Sequence, residues 1–202
     1  MGLCMDDVLQ KIADPELRLQ VARVAPFHGY LSTGAFIGIQ MLSIARRVLG
    51  AGADDRLFTT CETYNCLPDP FQVLAGCTIG NKGLKIENHG KMAVTVTRRA
   101  PAGSSIKGVR IVLDPAKTVS YPRLHAWYMK TDKVPHPEAI SILIDAGEIV
   151  YTYRVIDLVV PEKPRKQIAI CDSCKESFVQ KENELLCVPC FEKSRRLIVD
   201  AQ

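Results

Sequence analysis

The chain has 202 residues, a formal net charge of +4, 24% charged and 47% hydrophobic residues. That much apolar side chain offsets ordering entropy and excludes a mainly disordered chain. The apolar runs are only a few residues long, far short of the roughly 20 that span a bilayer. Met1–Gln10 carries two Asp and no basic flank, so it does not read as a signal peptide, and Asp6 breaks a myristoylation pattern after Gly2. A cytoplasmic location is expected.

In chain order, Asp6–Ala25 reads as helix, interrupted at Asp14-Pro15, where Asp14 can cap and Pro15 can start a second helix. Thr33–Leu49 carries Ile37, Met41, Leu42, Ile44, Ala45, Val48 and Leu49 at three- and four-residue spacing, with Gly50 suited to a left-handed stop. Leu57–Cys61 reads as a short strand. Asp69-Pro70 starts a short helix through Leu74, with Asp69 as its cap and Gly76 as its stop. Met92–Thr97 and Val109–Leu113 read as strands, Tyr121–Lys130 and Pro137–Ala146 as helices, and Ile149–Val160 as strand-like. Strands broken by helices and by an irregular segment predict an α+β fold, a mixed sheet flanked by helices. Pro161 to Lys166 holds two prolines and three basic residues and reads as a linker. The expected organisation is a core over 1–160, a linker over 161–166 and a small cysteine-rich module over 167–202.

Eight cysteines are many for a reducing compartment, where they serve as metal ligands or reactive thiols rather than disulfides. Cys171-x2-Cys174 and Cys187-x2-Cys190 form two knuckles separated by twelve residues. Each knuckle brings two thiolates to one ion from a tight turn, and an intervening hairpin is expected to join them. So short a segment cannot build an adequate hydrophobic core, so one structural zinc per chain would supply its folding energy. Four thiolates leave no open coordination position. Iron in the same four-sulfur site is the competing metal. From Lys166 onward six basic residues meet six acidic ones. A zinc-ribbon regulator that binds nucleic acid would need clustered positive charge, so nucleic acid is not an expected partner.

Phe27-His28-Gly29-Tyr30-Leu31-Ser32-Thr33-Gly34 precedes the long helix. Ser32 or Thr33 can cap that helix, and its free N–H groups could receive an anion. The segment from Cys61 to Gly80 is dense in polar residues around a helix start. Cys66 would be a reactive thiol if its sulfur sat at that start. Cys61 and Cys77 read as core, Cys4 as part of a mobile terminus, and His89, His125 and His136 as structural or exposed. No Rossmann or P-loop glycine pattern appears, so no nucleotide cofactor is expected.

His28-Gly29-x4-Gly34, followed by Cys66-x2-Asp69-x2-Gln72-Val73-Leu74-x-Gly76-Cys77-Thr78-x-Gly80-x2-Gly83 and by Gly90-Lys91-x-Ala93, resembles the FmdE-like family of formylmethanofuran dehydrogenase. The four-cysteine tail is similar to one that many members carry. The resemblance implies an α+β core, a homodimer, and an accessory or subunit-like role beside a molybdenum or tungsten redox enzyme of the archaeal, methanogenesis-related type. It also implies a site at His28 and Cys66, as catalytic residues, with Ser32, Tyr30 and Asp69 lining a ligand pocket that could hold a second metal. In the family's usual first motif, His-Gly-His-x-Cys-Pro-Gly, this chain has Tyr30 for the second His, Ser32 for the Cys and Thr33 for the Pro. A hydroxyl is a far weaker zinc ligand than a thiolate, and Ser32 cannot form a dithiol with Cys66. A stand-alone thiol- or metal-dependent redox enzyme using Cys66, with His28 as base, is the alternative reading.

Overall fold

The computed structural model describes residues 4–162 and 165–199, the side chains as far as Arg195. Chain segments 1–160 and 161–202 form two compact units.

In the first unit, α1 (Met5–Lys11) is followed by α2 (Pro15–His28). Asp14 caps α2 by accepting from the Glu16 N–H at 2.9 Å, and Pro15 stands at the first helical position, where its missing N–H costs nothing. The sequence pattern ends this helix at Ala25. It instead continues past Pro26 to His28 and stops at Gly29, whose φ of 95° favours glycine. His28 is thereby fixed on the last helical turn.

The long helix α3 (Thr33–Leu49) has the expected bounds. Ser32 Oγ accepts from the Ala35 N–H at 3.1 Å, and Gly50 ends it in the left-handed region. Eleven of its residues are buried, from Thr33 to Ala45, because it packs against helices as well as the sheet. Its neighbours are α2, a fourth helix α4 (Pro68–Ala75), the strands β3 (Ala93–Arg98) and β4 (Ser105–Leu113), and a helix near the end of the unit, α7 (His136–Ala146).

The remaining elements of this unit are β1 (Leu57–Cys61), β2 (Leu84–Ile86), α5 (Pro115–Thr118), α6 (Pro122–Met129), a 3₁₀ turn (Gly147–Val150) and β5 (Tyr151–Val159). The five strands form one mixed sheet in the order β2-β1-β3-β4-β5, with β1 and β2 parallel and every other pair antiparallel. Register puts Thr59, Val96 and Val109 in one row and Cys61, Val94 and Ile111 in the next. All six are buried. This α+β architecture is the one the pattern of elements predicts. Cys61 and Cys77 lie in the core, where burial pushes the Cys61 thiol up to about 12. Cys4 is exposed at the start of α1, and its N–H donates to Asp7 at 3.1 Å.

The second unit contains a hairpin, β6 (Gln167–Ile170) with β7 (Ser177–Gln180), and the helix α8 (Val188–Val199). Lys163 and Pro164, within the expected linker, lie outside the described residues.

Candidate ligand site and cysteine metal centre

The cysteine centre grows from local turns. Cys171 and Cys174 sit in the turn between β6 and β7. The Lys175 N–H donates to the Cys171 carbonyl at 3.0 Å, and Lys175 takes a left-handed φ of 63° to close the knuckle. Cys187 immediately precedes α8 and Cys190 lies in its first turn, so the second knuckle is continued by a helix rather than by a second hairpin. The expected hairpin between the knuckles is likewise replaced, because the first knuckle itself is the hairpin's turn. The four sulfurs all lie within 4.8 Å of one another, and Cys174 and Cys187 are 3.7 Å apart. A tetrahedral ion with bonds of about 2.3 Å needs sulfur separations of about 3.8 Å, so the donor set fits. The Cys187 N–H also points at Cys171 Sγ at 3.3 Å. With the N–H groups of Cys174 and Ser173 it holds the Cys171 thiol below its ordinary range, while desolvation and the neighbouring sulfurs raise Cys174 and Cys187. Among the described residues this is the one group of three or more His, Cys, Asp or Glu side chains gathered tightly enough to hold a metal.

In the core unit the junction between α2 and α3 meets the start of α4. Leu67 is the N-cap residue of α4 and Pro68 is its first helical residue, so Asp69 is two positions too far along to cap it. Its carboxylate has a different partner. Asp69 Oδ2 lies 2.6 Å from His28 Nδ1, and Oδ1 accepts from Gln72 Nε2 at 3.2 Å. The His28 and Asp69 side chains are 14% and 24% exposed, enough shielding to make the pair more than a surface ion contact.

Two of the N–H groups in the first turn of α3, those of Thr33 and Ala35, are already taken. Ser32 is fully buried and its oxygen serves the helix cap. The Thr33 N–H donates to His136 Nδ1 at 3.2 Å, and Thr33 Oγ1 lies 2.7 Å from the same nitrogen. His136 opens α7 and reaches this point from 103 positions away in the chain. Its helix start is legible in Pro137, but nothing local connects it to Thr33. Burial, then the charges of His28 and Lys130, lower its affinity for a proton.

Tyr30 is exposed, and its ring neighbours both imidazoles, with centroids 5.2 Å from His28 and 5.6 Å from His136. Cys66 packs on the first turn of α3. A Cβ built on Gly34 would lie 3.0 Å from Cys66 Cβ and 3.6 Å from its sulfur. Among the described residues the Cys66 sulfur has no hydrogen bond to His28. The structure therefore gathers His28, Asp69, Tyr30 and His136, keeps Cys66 against the neighbouring helix turn, and withdraws Ser32 into the cap. His125 bonds Thr118 Oγ1 at 2.9 Å, and His89 is exposed beside Glu87, away from this cluster.

Comparison with known proteins agrees with this architecture. A crystal structure described as a tungsten formylmethanofuran dehydrogenase FmdE-like protein from Syntrophus aciditrophicus superposes with a TM-score of 0.72 and 28% identity, covering 88% of this chain and 93% of that one. An Archaeoglobus fulgidus protein named as a probable S-adenosyl-L-methionine-binding protein is 32% identical over 117 residues. That alignment takes in 54% of this chain, and the chain spans only 31% of that relative's length. The family profile described as "FmdE, Molybdenum formylmethanofuran dehydrogenase operon" matches residues 27–159, from the last turn of α2 to the end of β5. The chain belongs to the FmdE family.

Proposed function

We propose that the chain is a cytoplasmic, homodimeric accessory protein of molybdenum- or tungsten-dependent redox metabolism of the formylmethanofuran dehydrogenase type. In this reading the cysteine module holds one structural zinc ion, and the core binds an organic ligand at the His28 cluster. The observation that carries the reading is how the core donors are committed. Asp69 holds His28 Nδ1, Ser32 holds the α3 cap, and Cys66 packs on Gly34, so three strong metal ligands do not converge. The same commitment weighs against a stand-alone thiol enzyme, since the Cys66 sulfur and the His28 ring do not form the nucleophile–base pair such an enzyme uses. The names of the two relatives, one likened to a dehydrogenase component and one a cofactor-binding protein, both fit a protein that presents a ligand to a larger enzyme.

The test is reconstitution of the tagged full chain with purified subunits of a molybdenum or tungsten formylmethanofuran dehydrogenase, read by light scattering after gel filtration. A stoichiometric complex of a dimer with those subunits is expected. A monomer that binds none of them, together with thiol-dependent turnover lost in Cys66→Ser, would replace the accessory reading with the enzyme one.

A further inference from the structure

Arg18, in the second turn of α2, uses only part of its guanidinium within the protein. Its Nε–H donates to the Ile12 carbonyl, and Nη2 donates to the Gln10 carbonyl at 3.3 Å. Gln10 lies in the last turn of α1 and Ile12 is its C-cap. These are carbonyls the helix leaves without a partner of its own, so Arg18 closes the end of α1. That task takes one edge of the guanidinium fork. Of its remaining N–H donors, both on Nη1 and one on Nη2 have no protein partner among the described residues. No carboxylate among those residues pairs with Arg18 either. Asp14 caps α2, and Glu16 accepts from Gln20 Nε2 at 3.0 Å.

The same side chain lines a groove of about 400 Å³, whose other walls are Leu9 and Gln10 of α1 and Val21 and Ala22 of α2. Arg18, Val21 and Ala22 stand three and four positions apart, on one face of the helix. Val21 is buried and Leu9 half-buried, while Gln10 and Ala22 are exposed. An apolar floor, an open rim and one fixed cation therefore share a single concavity. Its volume falls in the range of about 300–1,000 Å³ typical of small-molecule sites. The groove is separate from the His28 cluster. Arg18 and His28 are about 15 Å apart along α2 at 1.5 Å per residue, and every lining residue precedes residue 27, where the family match begins.

We propose that this groove binds a small monocarboxylate with an apolar body. The unused end of the Arg18 fork presents two parallel N–H groups, one from each Nη, and these match the two oxygens of a carboxylate. The apolar body lies against Leu9 and Val21. The two backbone carbonyls hold the guanidinium in place before the ligand arrives, so little side-chain entropy is lost on binding. Arg18 is exposed, so water screens the pair and the expected Kd is about 1 mM.

The experiment titrates hexanoate into the ¹⁵N-labelled full chain near pH 7 and follows the amide shifts of Leu9, Gln10, Val21 and Ala22. Acetate carries the charge without the body, and hexanol the body without the charge. Each control should bind at least about tenfold more weakly, the loss of either the charged hydrogen bonds or the apolar contact. Arg18→Gln should bring hexanoate down to the affinity of hexanol. Ala22→Phe changes an exposed helical position, leaves Arg18 in place and puts a ring into the groove, so the folded variant should lose the hexanoate response. Equal affinity for hexanoate and hexanol overturns the carboxylate assignment. A hexanoate response that survives in Ala22→Phe, or none in the unsubstituted chain at about ten times the expected Kd, overturns the site.

Discussion

Gly38 tests whether α4, and with it Asp69, is placed by a close helix crossing. In an open helix interior, Gly→Ala stabilises by about 1 kcal/mol, because Ala loses less backbone entropy and has the higher helix propensity. At Gly38 the added Cβ would meet the Leu67 carbonyl oxygen at 2.8 Å and the Pro70 ring at 2.9 and 3.2 Å. Neither neighbour is a flexible side-chain end. One is backbone, and the other is a proline ring fixed in the first turn of α4. Overpacking of this kind costs about 1–3 kcal/mol, so the clash offsets or outweighs the propensity gain and the net effect of Gly38→Ala is a loss of about 0–2 kcal/mol. Urea unfolding followed by fluorescence measures it. The chain's one tryptophan, Trp127, packs half-buried against the core, so the signal reports the core unit. The shift of α4 should also separate Asp69 from His28. A variant stabilised by about 1 kcal/mol, as an exposed helical glycine would give, refutes the crossing.

Three other outcomes follow from the contacts. Glu62 accepts two hydrogen bonds from Arg110, at 2.7 and 3.0 Å, and the guanidinium holds its carboxyl below the ordinary range. The folded-state value is depressed, so this stabilisation is complete above the unfolded value of about 4.3 and fades as pH falls through the folded value. Glu62→Gln should therefore cost about 1–2 kcal/mol at pH 7, less than a fully buried pair because Arg110 keeps some exposure, and the gap to the unsubstituted chain should narrow in acid. A gap that is constant from pH 7 to pH 3 contradicts the pairing. Tyr151 is buried and its hydroxyl donates to Gln40 Oε1 at 2.6 Å, so Tyr151→Phe should cost about 1–2 kcal/mol in urea unfolding by leaving that oxygen unpaired. Chelation of the metal, or Cys187→Ser, should abolish the β6–β7 and α8 amide protection while leaving the Trp127 unfolding transition of the core unmoved.

Where a segment's structure is decided by its own residues, it can be read from the sequence. Ser32 and Gly50 bracket α3, and the knuckle spacing gathers the four cysteines through short turns. Three-residue β2 is too short to display an alternation, and it is held by pairing with β1 and by the Gly83–Thr59 backbone bond rather than by its own pattern. The sequence pattern ends α2 too early because Pro26 ordinarily breaks a helix. Here the chain continues until Gly29 turns it, which puts His28 on the helix. Asp69 reads locally as a cap, but Pro68 occupies the first helical position and frees the carboxylate for a partner 41 residues away. His136 is farther still, and only the packing of α7 on α3 brings it to Thr33. The candidate site is thus half visible in the sequence: its motif residues are legible, while the bonds that set their chemistry are long-range.

On the function proposed above, the chain holds one zinc ion, in the cysteine module, and none at His28. Elemental analysis of protein purified without added metal, on the unsubstituted chain and on a Cys171→Ala, Cys174→Ala variant, tests it most directly. One zinc per chain is expected in the first and none in the second, with the Trp127 transition unchanged. A metal that survives the double substitution would place an ion in the core, at His28 and Cys66, and contradict the claim.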